Sequence, residues 1–226
     1  SGDSGTSYSR QGASGDWVSV DGNLGIRLLI DLGEGGDDGG GGDCSAGDVN
    51  ADGIINVLDI VSAVNFIVKY QDELNINPDR IGLVGYSSGG HLAVLTACSA
   101  NNASMQTILD KHKLSESIKC VASINGAVVP KYLPRQYKPK VLEWSGVEKE
   151  REMEIVFPST YLDKNDPPIY LLSGKDDAVV PNRLARQFSN LLKRNDVEHK
   201  FQTLQKTGHV VTEPSHYEIP APVNTN

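Results

Sequence analysis

The stretch "RIGLVGYSSGGHLAVLTACSA", residues 80–100, constrains the fold more than any other part of the chain. A short apolar run from Ile81 to Gly85 leads into two adjacent serines set between glycines, and an Ala- and Leu-rich segment follows. So short an apolar run suits a strand buried on both faces, and the Ala and Leu content suits a helix. A strand that turns sharply into a helix has no room for side chains beside the turn, a condition that Gly85 and Gly89 meet. Ser87, at the centre of Gly-Tyr-Ser-Ser-Gly, is therefore the candidate nucleophile, with a glycine-rich turn that binds nothing, or a phosphate, as the alternative. The backbone N–H of Ser88, next in the chain, is a candidate oxyanion donor.

Beyond the elbow the pattern keeps alternating. "IKCVASINGAV" and "PPIYLLSG" read as buried strands of parallel type, and "VEHKFQTL" as a last strand. "NRLARQFSNLLKRN" reads as an amphipathic helix with Leu184, Phe188, Leu191 and Leu192 on one side. A long polar insertion occupies about residues 130–165. Its "EWSGVEKEREMEI" predicts a solvated charged helix, with a cap helix that sets substrate choice as the alternative. From residue 60 onward this order predicts an α/β layer architecture with a mostly parallel sheet.

An acid and a base should follow the nucleophile, each after a strand. "YLLSGKDDAVVP" places Asp176 and Asp177 just past a buried strand, and "KTGHVV" places His209 after the final one, beside a glycine. His209 would take the proton from Ser87, and an aspartate would orient and stabilise the imidazolium. Order alone does not choose between the two aspartates. His91 falls on the helix after the elbow and is expected to pack there. His112 and His199 are expected at the surface, and His216 lies in a Pro-rich tail.

The N-terminal part differs in character. Residues 1–47 are rich in Gly, Ser and Asp, and "LGEGGDDGGGGDC" is a linker too poor in apolar surface to fold. Within it, "DWVSV" and "GIRLLIDL" could pair as a hairpin across Asp21-Gly22-Asn23. From Asp48, "DVNADGIINVLD" follows the calcium-loop pattern. Asp48, Asn50 and Asp52 would supply side-chain oxygens, Ile54 a carbonyl, and Asn56 and Asp59 the ninth and twelfth positions. An Asx-rich turn holding no ion is the alternative. The apolar helical run "VLDIVSAVNFIVKYQDEL" comes next. Its Val57, Ile60, Val61, Val64, Ile67 and Val68 mark one buried face, and Pro78 breaks it.

Bulk properties narrow the function classes. A net charge of −8 over 226 residues disfavours nucleic acid as a partner. No apolar run approaches the roughly 18 residues of a membrane span. The opening "SGDSGTSYSR" has neither a charged n-region nor an apolar h-region, so no signal peptide is expected there. Cys44, Cys98 and Cys120 are too few for a disulfide framework and leave the compartment open.

"PDRIGLVGYSSGGHLA", "YLDKNDPPIYLLSGKDDAVVP" and the Gly-His pair of "KTGHVV" resemble the α/β-hydrolase esterases of the carbohydrate-esterase and hormone-sensitive-lipase-like type, over about residues 60–212. The resemblance implies an α/β fold, a partial α/β-hydrolase sheet with flanking helices. It also implies Ser87 as nucleophile, His209 as base and Asp177 as acid. In that family the acid stands three residues after the Gly of a His-Gly turn, and here Ser173 replaces that His. The family's early strands and its HGGG-type oxyanion loop have no counterpart in residues 1–60, so one side of the nucleophile strand is expected to lack a partner, with cover by "DWVSV" and "GIRLLIDL" as the alternative. Separately, residues 43–69 resemble one repeat of a type I dockerin. That implies structural calcium, a secreted protein and a cohesin-type partner, although dockerins use two repeats and only one is found.

The expected organisation is a linker over 1–42, the dockerin-like repeat over 43–69 and the hydrolase portion over 70–226. The expected function is a serine carboxylic-ester hydrolase acting on small acyl esters or on acyl esters of plant polysaccharide, with no catalytic cofactor. Two alternatives stand beside it: an impaired truncated or chimeric chain working only as a calcium-binding or interaction module, and a prolyl-oligopeptidase-like peptidase.

Overall fold

The computed structural model describes residues 6–10, 17–21, 27–29, 49, 56–102, 114–145 and 147–210. Among these, β1 (Thr6–Arg10) and β2 (Trp17–Asp21) form an antiparallel ribbon. The main sheet holds β3 (Arg27–Leu29), β4 (Ile81–Tyr86), β5 (Ile118–Ile124), β6 (Ile169–Gly174) and β7 (His199–Leu204), in that spatial order. Every neighbouring pair in it is parallel. Parallel neighbours need crossover connections, and these carry the helices: α1 (Val57–Lys69) precedes β4, α2 (Ser88–Ala100) and the short α3 (Leu114–Ser117) join β4 to β5, α4 (Lys138–Ser145) lies in the insertion, and α5 (Arg183–Arg194) joins β6 to β7.

The core explains the odd composition of α2. This helix packs on β4 and β5 on one side and on α1 on another, so every residue from Gly89 to Ala100 is buried. Small and apolar side chains dominate it for that reason. Its two buried hydroxyls are neutralised locally: Thr96 donates to the Leu92 carbonyl at 2.8 Å and Ser99 to that of Leu95 at 2.6 Å. Leu92, Val94, Leu184, Phe188 and Leu192 are wholly enclosed. Each such side chain contributes about 1.5–3 kcal/mol through removal from water.

Ile60, Val61, Val64 and Ile67 of α1 lie in the same core cluster as Leu92, Val121 and Ile169. The expected boundary after residue 69 therefore runs through one continuous core. Helix α1 ends at Lys69, well before Pro78, although the apolar run was expected to continue to Leu74. After Val68 the apolar spacing lapses, and the chain turns through Asn75 at φ 53 before Pro78 opens a 3-10 turn.

Three further expectations are corrected. Among the described residues β2 pairs with β1, and Arg27–Leu29 of "GIRLLIDL" pairs with β4 instead of β2; Gly22 and Asn23 of the expected turn lie outside the described residues. β3 lies parallel to β4, with Leu28 opposite Leu83, so β4, the strand leading to Ser87, is flanked on both sides. Among the described residues β3 is thus the edge strand of the main sheet. Finally, "EWSGVEKEREMEI" does not form one solvated helix. It is split between α4 and a 3-10 segment, Glu150–Val156, whose Met153 is buried and anchors the insertion to the core.

Candidate active site

Ser87 follows directly on β4, at φ 53 and ψ −119, and its carbonyl accepts the first helical hydrogen bond of α2 from the His91 N–H at 3.0 Å. A non-glycine residue in that region stores about 1–3 kcal/mol of backbone strain. The turn is so tight that a Cβ on Gly85 would lie 2.1 Å from the Gly89 carbonyl oxygen. The glycine at 85 is thus a steric requirement of the elbow. Ser88 takes the first position of α2, where an N–H has no acceptor within the helix.

The Ser87 hydroxyl lies 2.9 Å from Nε2 of His209, and Nδ1 of His209 lies 2.8 Å from Oδ2 of Asp177. A carboxylate only accepts, so Nδ1 carries the ring proton and Nε2 is left to accept from the serine. Asp177 is held from its other side. Its Oδ1 accepts the N–H groups of Val179 and Val180, both at 2.8 Å, and its side chain is wholly buried. The neighbouring Asp176 is exposed to solvent. Of the two aspartates left open by chain order, the structure brings Asp177 to the histidine.

Two residues that motif reading did not single out complete the arrangement. The carbonyl oxygen of His209 accepts hydrogen bonds from the Tyr86 hydroxyl at 2.7 Å and from the Asn125 amide at 2.6 Å. Burial, and then the charge of Asp177, push the Tyr86 phenol above its ordinary range, which keeps it a donor. The only hint in the sequence was the Asn-Gly pair ending a strand, a common place for a left-handed residue.

The other histidines do different work. His91 is buried as expected, with Nδ1 2.6 Å from the Ala127 carbonyl and its ring edge-on to Phe157. Burial pushes its imidazole below the usual range, so it packs as a neutral ring. His199, expected at the surface, is half-buried and 3.0 Å from the Ser189 hydroxyl. His112 and His216 lie outside the described residues.

Of the calcium-type loop, Asp48, Asn50, Asp52 and Ile54 lie outside the described residues, as does Cys44. Asn56 and Asp59 form a capping box on α1. Asp59 is fully buried; its Oδ2 accepts the Asn56 N–H and its Oδ1 the Val49 N–H, both at 2.8 Å. The second and twelfth positions of the loop are thereby tied together. Cys98 is buried and Cys120 exposed, and both are free thiols.

Comparison with known proteins places these features in a family. Over 146 residues the chain is 23% identical to "Probable carboxylic ester hydrolase LipM" of Mycobacterium tuberculosis, covering 62% of this chain and 34% of that protein. The curated relatives are matched over 34% to 44% of their own length, so the chain spans less than half of each. Among solved structures, a truncated carbohydrate esterase from gut microbiota superimposes with a TM-score of 0.59 at 22% identity, over 71% of this chain and 63% of that one. An acetyl ester-xyloside bifunctional hydrolase from Caldicellulosiruptor lactoaceticus gives 0.51 at 21% identity, over 68% and 56%. The shared architecture is that of an α/β-hydrolase. The BD-FAE family matches residues 51–192, a span that takes in Ser87 and Asp177, and since this is well over half of the chain, the protein belongs to the BD-FAE family.

Proposed function

We propose that the chain is a serine carboxylic-ester hydrolase in which Ser87, His209 and Asp177 act as nucleophile, base and acid. The observation that carries this reading is the unbroken hydrogen-bonded series from the Ser87 hydroxyl through His209 to Asp177. As the Ser87 oxygen attacks an ester carbonyl, its proton passes to Nε2 of His209. Asp177 accepts from Nδ1 and stabilises the imidazolium. The tetrahedral oxyanion would receive the Ser88 N–H. His209 then protonates the leaving alcohol, and an acyl group remains on Ser87. Water, giving a proton to the same nitrogen, releases the acid.

Acyl esters carried on polysaccharide are the substrate class best supported, by the carbohydrate esterase and the acetyl ester-xyloside hydrolase among the structural relatives. Hydrolysis of p-nitrophenyl acetate and release of acetate from acetylated xylan test the reading. Ser87→Ala is expected to lower kcat by about 10⁴-fold or more. Equal rates for wild type and variant would defeat it.

Calcium held by the loop from Asp48 to Asp59 is proposed as a structural element beside this site. The calcium-loop spacing from Asp48 to Asp59 supports it, and the Val49 N–H on Asp59 Oδ1 brings the two ends of that segment together. When bound, the ion would stiffen the entry to α1. A cohesin-type partner and an extracellular setting belong to the same proposal. Calcium should raise the melting temperature and Asp59→Ala should abolish that response; no calcium effect in the wild type would refute ion binding.

A further inference from the structure

Resting on the hydrolase reading above, we propose that Asn125 is the positioning residue of the site, holding the main chain of His209 so that its ring meets both Ser87 and Asp177. Asn125 directly follows β5, at φ 51, and is 1% exposed. Left-handed backbone of this kind is tolerated by Asn better than by most residues. Its N–H and both ends of its side-chain amide are used. Its N–H donates to the Leu172 carbonyl at 2.8 Å, its Oδ1 accepts the Gly174 N–H at 2.8 Å, and its Nδ2 donates to the His209 carbonyl at 2.6 Å. The reverse amide orientation would set oxygen against the His209 oxygen and NH₂ against the Gly174 N–H, so the network itself selects the orientation.

The consequence lies in what those partners carry. Gly174 ends the strand from which the Asp177 turn departs, and His209 follows the turn after β7. One side chain therefore ties the segment bearing the acid to the segment bearing the base. Completing the strand end would require only the Asn125 N–H and Oδ1. The Nδ2 bond reaches a residue 84 positions away and is spent on the histidine. Tyr86, adjacent to the nucleophile, supplies a second donor to the same oxygen. Asn125 touches no reacting atom and acts through His209.

Asn125→Asp separates the two roles. It keeps the side-chain volume and an oxygen for the Gly174 N–H, and turns the donor to His209 into an oxygen that repels it. Asn125→Ala removes the donor without adding charge. In folded protein, shown by near-ultraviolet circular dichroism, both variants should lose about 10- to 100-fold in kcat on p-nitrophenyl acetate while KM stays within about twofold. Wild-type kcat in a folded variant, or a change confined to KM, would overturn the inference. Ser87→Ala in the same assay reports on the hydrolase reading by itself: a wild type no faster than Ser87→Ala sinks that reading. Positioning is read independently of turnover from the His209 Nδ1 proton in ¹⁵N-histidine-labelled protein. Its low-field resonance should be present in the wild type and shifted or lost in both variants. An identical resonance in all three proteins would refute a positioning role.

Discussion

Gly174 and Gly208 pass so close that a Cβ on residue 174 would lie 2.4 Å from the Gly208 carbonyl oxygen and 2.5 Å from that of Thr207. This approach lets the turn after β7 lie against the end of β6, where the Asp176 N–H donates to the Thr207 carbonyl at 3.0 Å. Any side chain at 174 would push the His209 segment away from Asp177. Gly174→Ala is expected to cost about 1–3 kcal/mol of stability from overpacking. It should also lower kcat in protein that remains folded, measured by urea unfolding alongside the esterase assay. Wild-type stability in this variant would show that the close approach is not a constraint.

The two adjacent aspartates should behave very differently. Asp177→Asn keeps an oxygen for Val179 and Val180 but presents an amide that favours the wrong imidazole tautomer. A loss of about 10⁴-fold in kcat is expected. Asp176→Asn alters an exposed side chain and should leave kcat within about twofold of wild type, as surface substitutions usually do. Comparable losses in both variants would contradict the observed pairing.

Strain at Ser87 makes a prediction about stability alone. Glycine adopts φ 53 and ψ −119 without a Cβ clash, whereas alanine keeps the penalty. Both variants are expected to be inactive, but Ser87→Gly should unfold at higher urea than Ser87→Ala. The difference should be about 1 kcal/mol once the extra chain entropy of glycine is counted. Equal midpoints would mean that the elbow is relaxed.

Asp166 governs a pH effect away from the site. Burial pushes its carboxyl up to about 6 from 3.8, outweighing the N–H of Asp163 that it accepts at 2.9 Å. The folded state therefore binds this proton more tightly than the unfolded chain does. Its contribution to stability is fully present below pH 3.8 and is lost as pH rises through about 6. Asp166→Asn should raise stability at pH 8 by on the order of 1–2 kcal/mol, and by less at pH 4.5. Urea midpoints at the two pH values check this, and a benefit that is larger at the acid pH would refute it.

Local sequence was sufficient for the elbow and for the buried face of α1. Ile81 to Ala100 forms strand, turn and helix through sterics and spacing among near neighbours, so Ser87 and the α2 boundaries could be read directly. That Ser87, Asp177 and His209 each follow a successive strand could also be read, because chain order follows strand order in this parallel sheet. Tertiary structure alone decided the rest. It selected Asp177 over Asp176 by burying one and exposing the other, and it set β3 rather than open solvent beside β4. It also brought Tyr86 and Asn125 onto the His209 carbonyl from 123 and 84 residues away. Hydrogen bonds over such separations leave no periodic trace in the chain, since they depend on where whole elements pack and not on what precedes or follows a residue.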